Sequence, residues 1–202
     1  MPALQPMKAV LGFTALYAAV LFAYGVAVDS PLTYLYTGIT ALIIATFLVF
    51  HHWVRFPLSV WWGISLIGLV NMIGGVGLID GEPVYIAGFV GPIPFDKFFH
   101  MAAAFVLAFV AWHVLKSFAG EGYHRGGMLV MAFLVVMGGG AVVEIAELIG
   151  SALSDVSVGD YGNNALDLVA NAIGALAGLI IIGVRKFDRS EMSGFHDRRL
   201  FR

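Results

Sequence analysis

The chain contains no cysteine at all among its 202 residues, which excludes disulfides, thiol catalysis and zinc sites built on thiolates, and leaves the redox compartment unread. Charge is scarce too: 12% of the residues are Asp, Glu, Lys or Arg, about half the usual share of a soluble domain. No basic domain is present, so there is no electrostatic footprint for nucleic acid. No cleavable signal peptide stands out at the N-terminus, where a single lysine, Lys8, precedes an apolar run long enough to remain as a span. What is abundant is apolar: 60% hydrophobic residues and a mean hydropathy of +0.90, a membrane composition. Twenty-five glycines suit close packing between membrane helices.

Six apolar segments follow one another, at about Ala9–Val28, Leu32–Phe50, Ser59–Ile79, Lys97–Leu115, Gly127–Leu153 and Leu166–Val184. Each approaches or exceeds the ~20 residues that cross a bilayer as helix. The expected fold is an all-alpha polytopic membrane protein of six transmembrane helices, one integral domain over residues 1–202 with a short polar tail at about 185–202. Trp53, Trp61, Trp62 and Trp112 read as interfacial anchors, and His51 and His52 as interfacial residues. The stretch from Asp80 to Asp96, rich in proline and glycine, reads as an ordered, non-helical connection, and no internal repeat is evident.

Charge order supplies an orientation. With both termini cytoplasmic, ten of the eleven Lys and Arg residues fall on the inner side, and Lys97 alone does not. The fifth span then rises outward. At ~1.5 Å per residue, Glu147 and Glu144 lie about 5 and 9 Å below Gly150, in the outer half of the membrane. The two glutamates of VVEIAELIG share a helix face by their spacing, as do Asp96 and His100 at the start of the fourth span. On the sixth, Asn164, Asp167, Asn171, Gly174 and Gly178 fall near one stripe, and Gly174 with Gly178 forms a small-residue face for another helix, nominally the fifth. Asp160, Asn163 and Asn164 can also serve as caps, the role preferred for Asn163, and Gly162 reads as a turn.

Carboxylates at membrane depth are costly and by default mark a functional site. The candidate catalytic or metal-ligating residues are His100, Glu144, Glu147 and Asp167, supported by Asp96, Asp160, Asn164 and Asn171. Oxygen-rich ligands with one imidazole suit a divalent cation such as Mg or Mn. Acid/base hydrolysis is compatible with the same set, with His100 as proton shuttle. The favoured function is an outward-facing site, a hydrolase acting on an envelope lipid or headgroup. The alternatives are a small-solute or proton-coupled transporter and a non-catalytic structural protein. A transport path would need polar residues continuing toward the cytoplasm, whereas below Glu144 and Asn171 the helices are mostly Val, Ala, Leu and Gly.

Asp96 and His100 in FDKFFH, Glu144 and Glu147 in VVEIAELIG, and Asp160, Asp167, Asn171, Gly174 and Gly178 together resemble the VanZ-like membrane proteins and the related YjdF-type inner-membrane proteins. The resemblance spans about Phe95 to Ile182. Glu147 stands where VanZ-like proteins carry Gln, and SALSDVSVGDYGNN lacks their arginines, which leans toward the YjdF-type relatives. The resemblance implies a small polytopic membrane protein and supports the residue cluster without naming a reaction.

Overall fold

A computed structural model describes residues 4–119, 122–153 and 161–184. Among these, six helices are long and apolar enough to cross a membrane: α1 (Leu4–Ala27), α2 (Thr33–Val54), α3 (Leu58–Val76), α5 (Phe95–Ala119), α6 (Arg125–Leu153) and α7 (Tyr161–Val184). The all-alpha, multi-pass membrane architecture follows from them. Many of their large apolar side chains remain exposed on the outside, Leu42, Val130, Ile145 and Ile180 for instance, as surfaces that meet lipid must.

Helix ends follow local chemistry. Arg55 closes α2 in the left-handed region at φ 52°, its N–H on the His51 carbonyl, and Pro57 then forbids continuation and starts α3. The connection from α3 to α5 departs from the expected non-helical stretch. It holds two hairpins of two-residue strands, β1 (Leu78–Ile79) with β2 (Glu82–Pro83) and β3 (Phe89–Val90) with β4 (Ile93–Pro94), separated by the one-turn helix α4 (Val84–Ala87). It is also an internal repeat that the sequence reading missed. Gly77 and Gly88, Pro83 and Pro94, each pair eleven residues apart, open and close the two copies. In both, the glycine ends a helix and its carbonyl accepts the N–H of the residue after the proline, Val84 at 3.0 Å and Phe95 at 2.9 Å. The first turn, Asp80–Gly81, has positive φ at both residues, the geometry a tight hairpin demands. Little side-chain identity is shared, because the backbone needs only the glycine, the turn and the proline.

The core is layered. α3 packs on α1 and α2 on one side and on α5 on the other, and α5 packs on α7 and α6. Trp61 and Trp112 are buried in two of the apolar clusters, correcting their expected interfacial place. The Trp61 indole N–H donates to His51 Nδ1 at 3.2 Å, so the ring's one donor is satisfied inside the protein. The α5–α7 contact is the most intimate. Gly174 lies on the Met101 carbonyl group and Gly178 on the Phe105 carbonyl and the Ala108 methyl. The small-residue face therefore meets the fourth span and not the fifth, because α5 rather than α6 presents backbone to it.

Candidate functional site

The hairpins deliver the chain into α5 with Asp96 in the first helical turn, where the exposed N–H groups favour a carboxylate. Lys97 and His100 follow, and all three face the beginning of α7. On α7 the stripe is Asn163, Asp167 and Asn171, spaced by four residues. This helix begins at Tyr161, five residues earlier than the expected Leu166, so Gly162 and Asn163 lie inside its first turn. The preferred cap and turn roles are thereby corrected. The Asn163 side chain instead bridges two site residues, accepting from Lys97 Nζ at 2.7 Å and donating to Asp167 Oδ2 at 2.8 Å.

Asp167 is completely buried and is held by Lys97 Nζ at 2.6 Å from its Oδ1. The same ammonium reaches Asp96 Oδ2 at 2.8 Å. His100, also buried, stands among three carboxyl groups: its Nε2 is 3.5 Å from Asp96 Oδ1 and 3.7 Å from Asp167 Oδ1, and its Nδ1 is 3.7 Å from Glu144 Oε1. The distances to Glu144 and Asp167 are too long for hydrogen bonds. Glu144 is 5% exposed and, among the described residues, neither of its oxygens has a hydrogen-bond donor. One turn deeper, Asn171 Nδ2 is likewise buried without an acceptor among the described residues, pressed against Gly140 on α6.

An unsatisfied buried carboxyl group costs several kcal/mol. Its presence beside an imidazole points to a ligand. Asp96, His100 and Asp167 each offer one ligand atom, all within 4.8 Å of one another. Ligands on opposite sides of an ion held at about 2 Å are about 4 Å apart, so a small closure brings this set onto a divalent cation. A largely buried Asp/His/Asp cluster able to coordinate such a cation is therefore present.

The structure thus gathers His100, Glu144 and Asp167, with Asp96 promoted from support to the ligand-bearing set. Glu147 is half-buried on the same side of α6. Asn164 is half-buried with no side-chain hydrogen bond among the described residues, and Asp160 lies outside them. Lys97 is the residue that sequence reasoning passed over. Its signal was its exception to the expected charge asymmetry, and in the structure two carboxylates, Asp96 and Asp167, hold it.

Tyr85 of α4 roofs this region. Its hydroxyl donates to Asn71 Oδ1 at 3.0 Å, and its ring meets Tyr36, Phe95 and Phe99 at centroid distances of 5.4–5.5 Å. Burial, then the nearby phenol of Tyr36 and the carboxylates of Asp96 and Glu147, hold its pKa well above the ordinary tyrosine value. Tyr85→Phe leaves the buried Asn71 amide without its donor and should destabilise the protein by about 1–3 kcal/mol. Thermal unfolding in detergent reads this, and an unchanged midpoint would show that the hydroxyl contributes nothing.

Residues 9–189 match the family described as Predicted membrane protein (DUF2238). That match overturns the resemblance to VanZ-like and YjdF-type proteins, since DUF2238 is a distinct membrane-protein family. Short acidic and glycine spacings recur wherever membrane helices pack around buried carboxylates, so they identify a kind of site more readily than a lineage. Searches of the curated proteins and of the solved structures return no match. With most of its length covered, from the first span to just past the last, this chain belongs to the DUF2238 family of membrane proteins.

Proposed function

We propose that this protein is a divalent-cation-dependent hydrolase acting on an envelope lipid or its headgroup, with its site toward the outer face of the membrane. The observation that carries the reading is Glu144, a buried carboxyl group with no hydrogen-bond donor among the described residues, placed against His100 where Asp96 and Asp167 offer further ligand atoms. Both termini are cytoplasmic in this reading, supported by the placement of ten of eleven basic residues on that side. Residues 1–202 form one integral domain with a polar tail from about residue 185.

Asp96, Asp167, His100 and Glu144 would hold the ion, Mg or Mn by ligand type, with Glu147 in reserve at the same end. A bound cation supplies Lewis acidity toward a carbonyl or phosphoryl oxygen. Glu144, or His100 through Nδ1, accepts the proton of the attacking water as its oxygen bonds to the electrophilic centre. The same proton passes to the leaving alkoxide as the ester bond breaks. Asn171, one turn deeper, orients the neighbouring groups.

Full-length protein in lipid nanodiscs should bind Mn2+ at one site, read as loss of the free-ion signal in electron paramagnetic resonance. Glu144→Gln and Asp167→Asn should each weaken binding by about 10- to 100-fold. Liposomes of mixed envelope lipids, followed by mass spectrometry, should show a released headgroup or acyl chain with the wild type and none with His100→Ala. Absence of both binding and product would sink the reading; binding without product would leave a cation site of another purpose.

A further inference from the structure

We propose that Lys97 is the resident cation of this site, and that a divalent ion enters by exchange with its ammonium and not by addition to it. This inference rests on the cation-site reading above and concerns how occupancy is controlled. The ammonium has three N–H donors, and the structure places three side-chain acceptors on it: Asp96 Oδ2 at 2.8 Å, Asp167 Oδ1 at 2.6 Å and Asn163 Oδ1 at 2.7 Å. Two of these belong to the residues that offer ligand atoms to a metal, and Asp167 Oδ1 is shared with the approach to His100 Nε2 at 3.7 Å.

An ion about 2 Å from oxygens of both Asp96 and Asp167 would sit against the ammonium. Two unlike carriers of positive charge at that separation repel strongly in a buried setting. The carboxyl groups of Asp96, Glu144, Glu147 and Asp167 outnumber this one lysine, so charge alone favours replacing a single positive charge by two. Lys97 has the means to leave. It starts in the first turn of α5, its side chain is 14% exposed, and a flexible four-carbon stem can carry the head to the interface. Asn163, which accepts from Lys97 and donates to Asp167, is the latch that this movement opens.

Mn2+ titration of the full-length protein in nanodiscs tests the exchange. Lys97→Met should bind Mn2+ about tenfold more tightly than wild type, or better, because no ammonium has to be displaced. Lys97→Gln, which retains hydrogen-bonding atoms for Asp167 and Asn163, serves the same comparison if the methionine variant does not assemble. Lys97→Arg should bind no more tightly than wild type. Mn2+ should also raise the unfolding temperature of Lys97→Met or Lys97→Gln more than that of wild type. If wild type binds Mn2+ and the neutral variants bind it equally or more weakly, exchange is overturned while the cation site stands. If none of them binds it, both readings fall.

Discussion

Gly174→Val should prevent α5 and α7 from closing on each other, with a loss of stability beyond the about 1–3 kcal/mol of ordinary overpacking. A Cβ at this position would lie 2.8 Å from the Met101 carbonyl carbon and 3.0 Å from its Cα, with the carbonyl oxygen closer still. Side chains can rotate away from an intruding methyl group, but backbone in mid-helix cannot, so the two helices must separate. A Cβ at Gly178 would likewise lie 2.8 Å from Phe105 O and from the Ala108 Cβ, so the contact has no second point about which to pivot. Asp167 lies seven residues before Gly174 on the same helix, so separation would also pull it from Lys97 and His100. Thermal unfolding in detergent should show a large drop for Gly174→Val together with loss of Mn2+ binding. Gly138→Ala is the control, since a Cβ there meets nothing within 4 Å and a surface change should stay within about 0.5 kcal/mol. Equal losses at positions 138 and 174 would show that glycine in these helices matters for reasons other than the α5–α7 approach.

The second large effect concerns charge. Asp167→Leu should cost about 3–5 kcal/mol, the scale for removing one partner of a buried pair. The carboxylate is fully buried and takes hydrogen bonds from Lys97 and Asn163, so the leucine takes from the ammonium one of its two carboxylate partners and from the Asn163 amide its acceptor. Lys97→Met in the same chain should restore part of that loss, because an apolar pair has no orphaned charge. The double-mutant cycle isolates the coupling from the change in volume. Simple additivity of the two losses would mean that Lys97 and Asp167 do not depend on each other, and the account of the site as an ion-paired network would have to be abandoned.

Much of this site was legible from spacing. Asp96 and His100, Glu144 and Glu147, and Asp167 and Asn171 could each be assigned to one helix face from separations of three or four residues. Their common depth followed from alternating span direction. Lys97 escaped because neighbours in sequence point to different sides of a helix, so its adjacency to Asp96 carried no expectation of contact. The long lysine stem overrides that rule, bending back to Asp96 while reaching Asp167 across the helix interface. Asn163 escaped because Gly-Asn-Asn reads as a turn by local preference; contact with Lys97 and Asp167 favours the helical turn instead.

The tryptophans show the same division. Trp61 and Trp112 have the composition of interfacial anchors, yet both are interior residues, and the His51 acceptor that makes the interior tolerable for Trp61 is ten residues away on another helix. The turn between the two helices, and not the sequence separation, sets that contact.

Six apolar runs and the sparse charge are properties of segments, and the bilayer acts on segments through length and transfer free energy. That is why the membrane architecture could be read from the amino-acid order alone. Which helix receives the glycine face, which cation neutralises Asp167 and which carboxyl group is left without a donor depend on pairs far apart in the chain. Only packing brings them together: Gly174 onto Met101, Lys97 onto Asp167, and His100 into the gap beside Glu144.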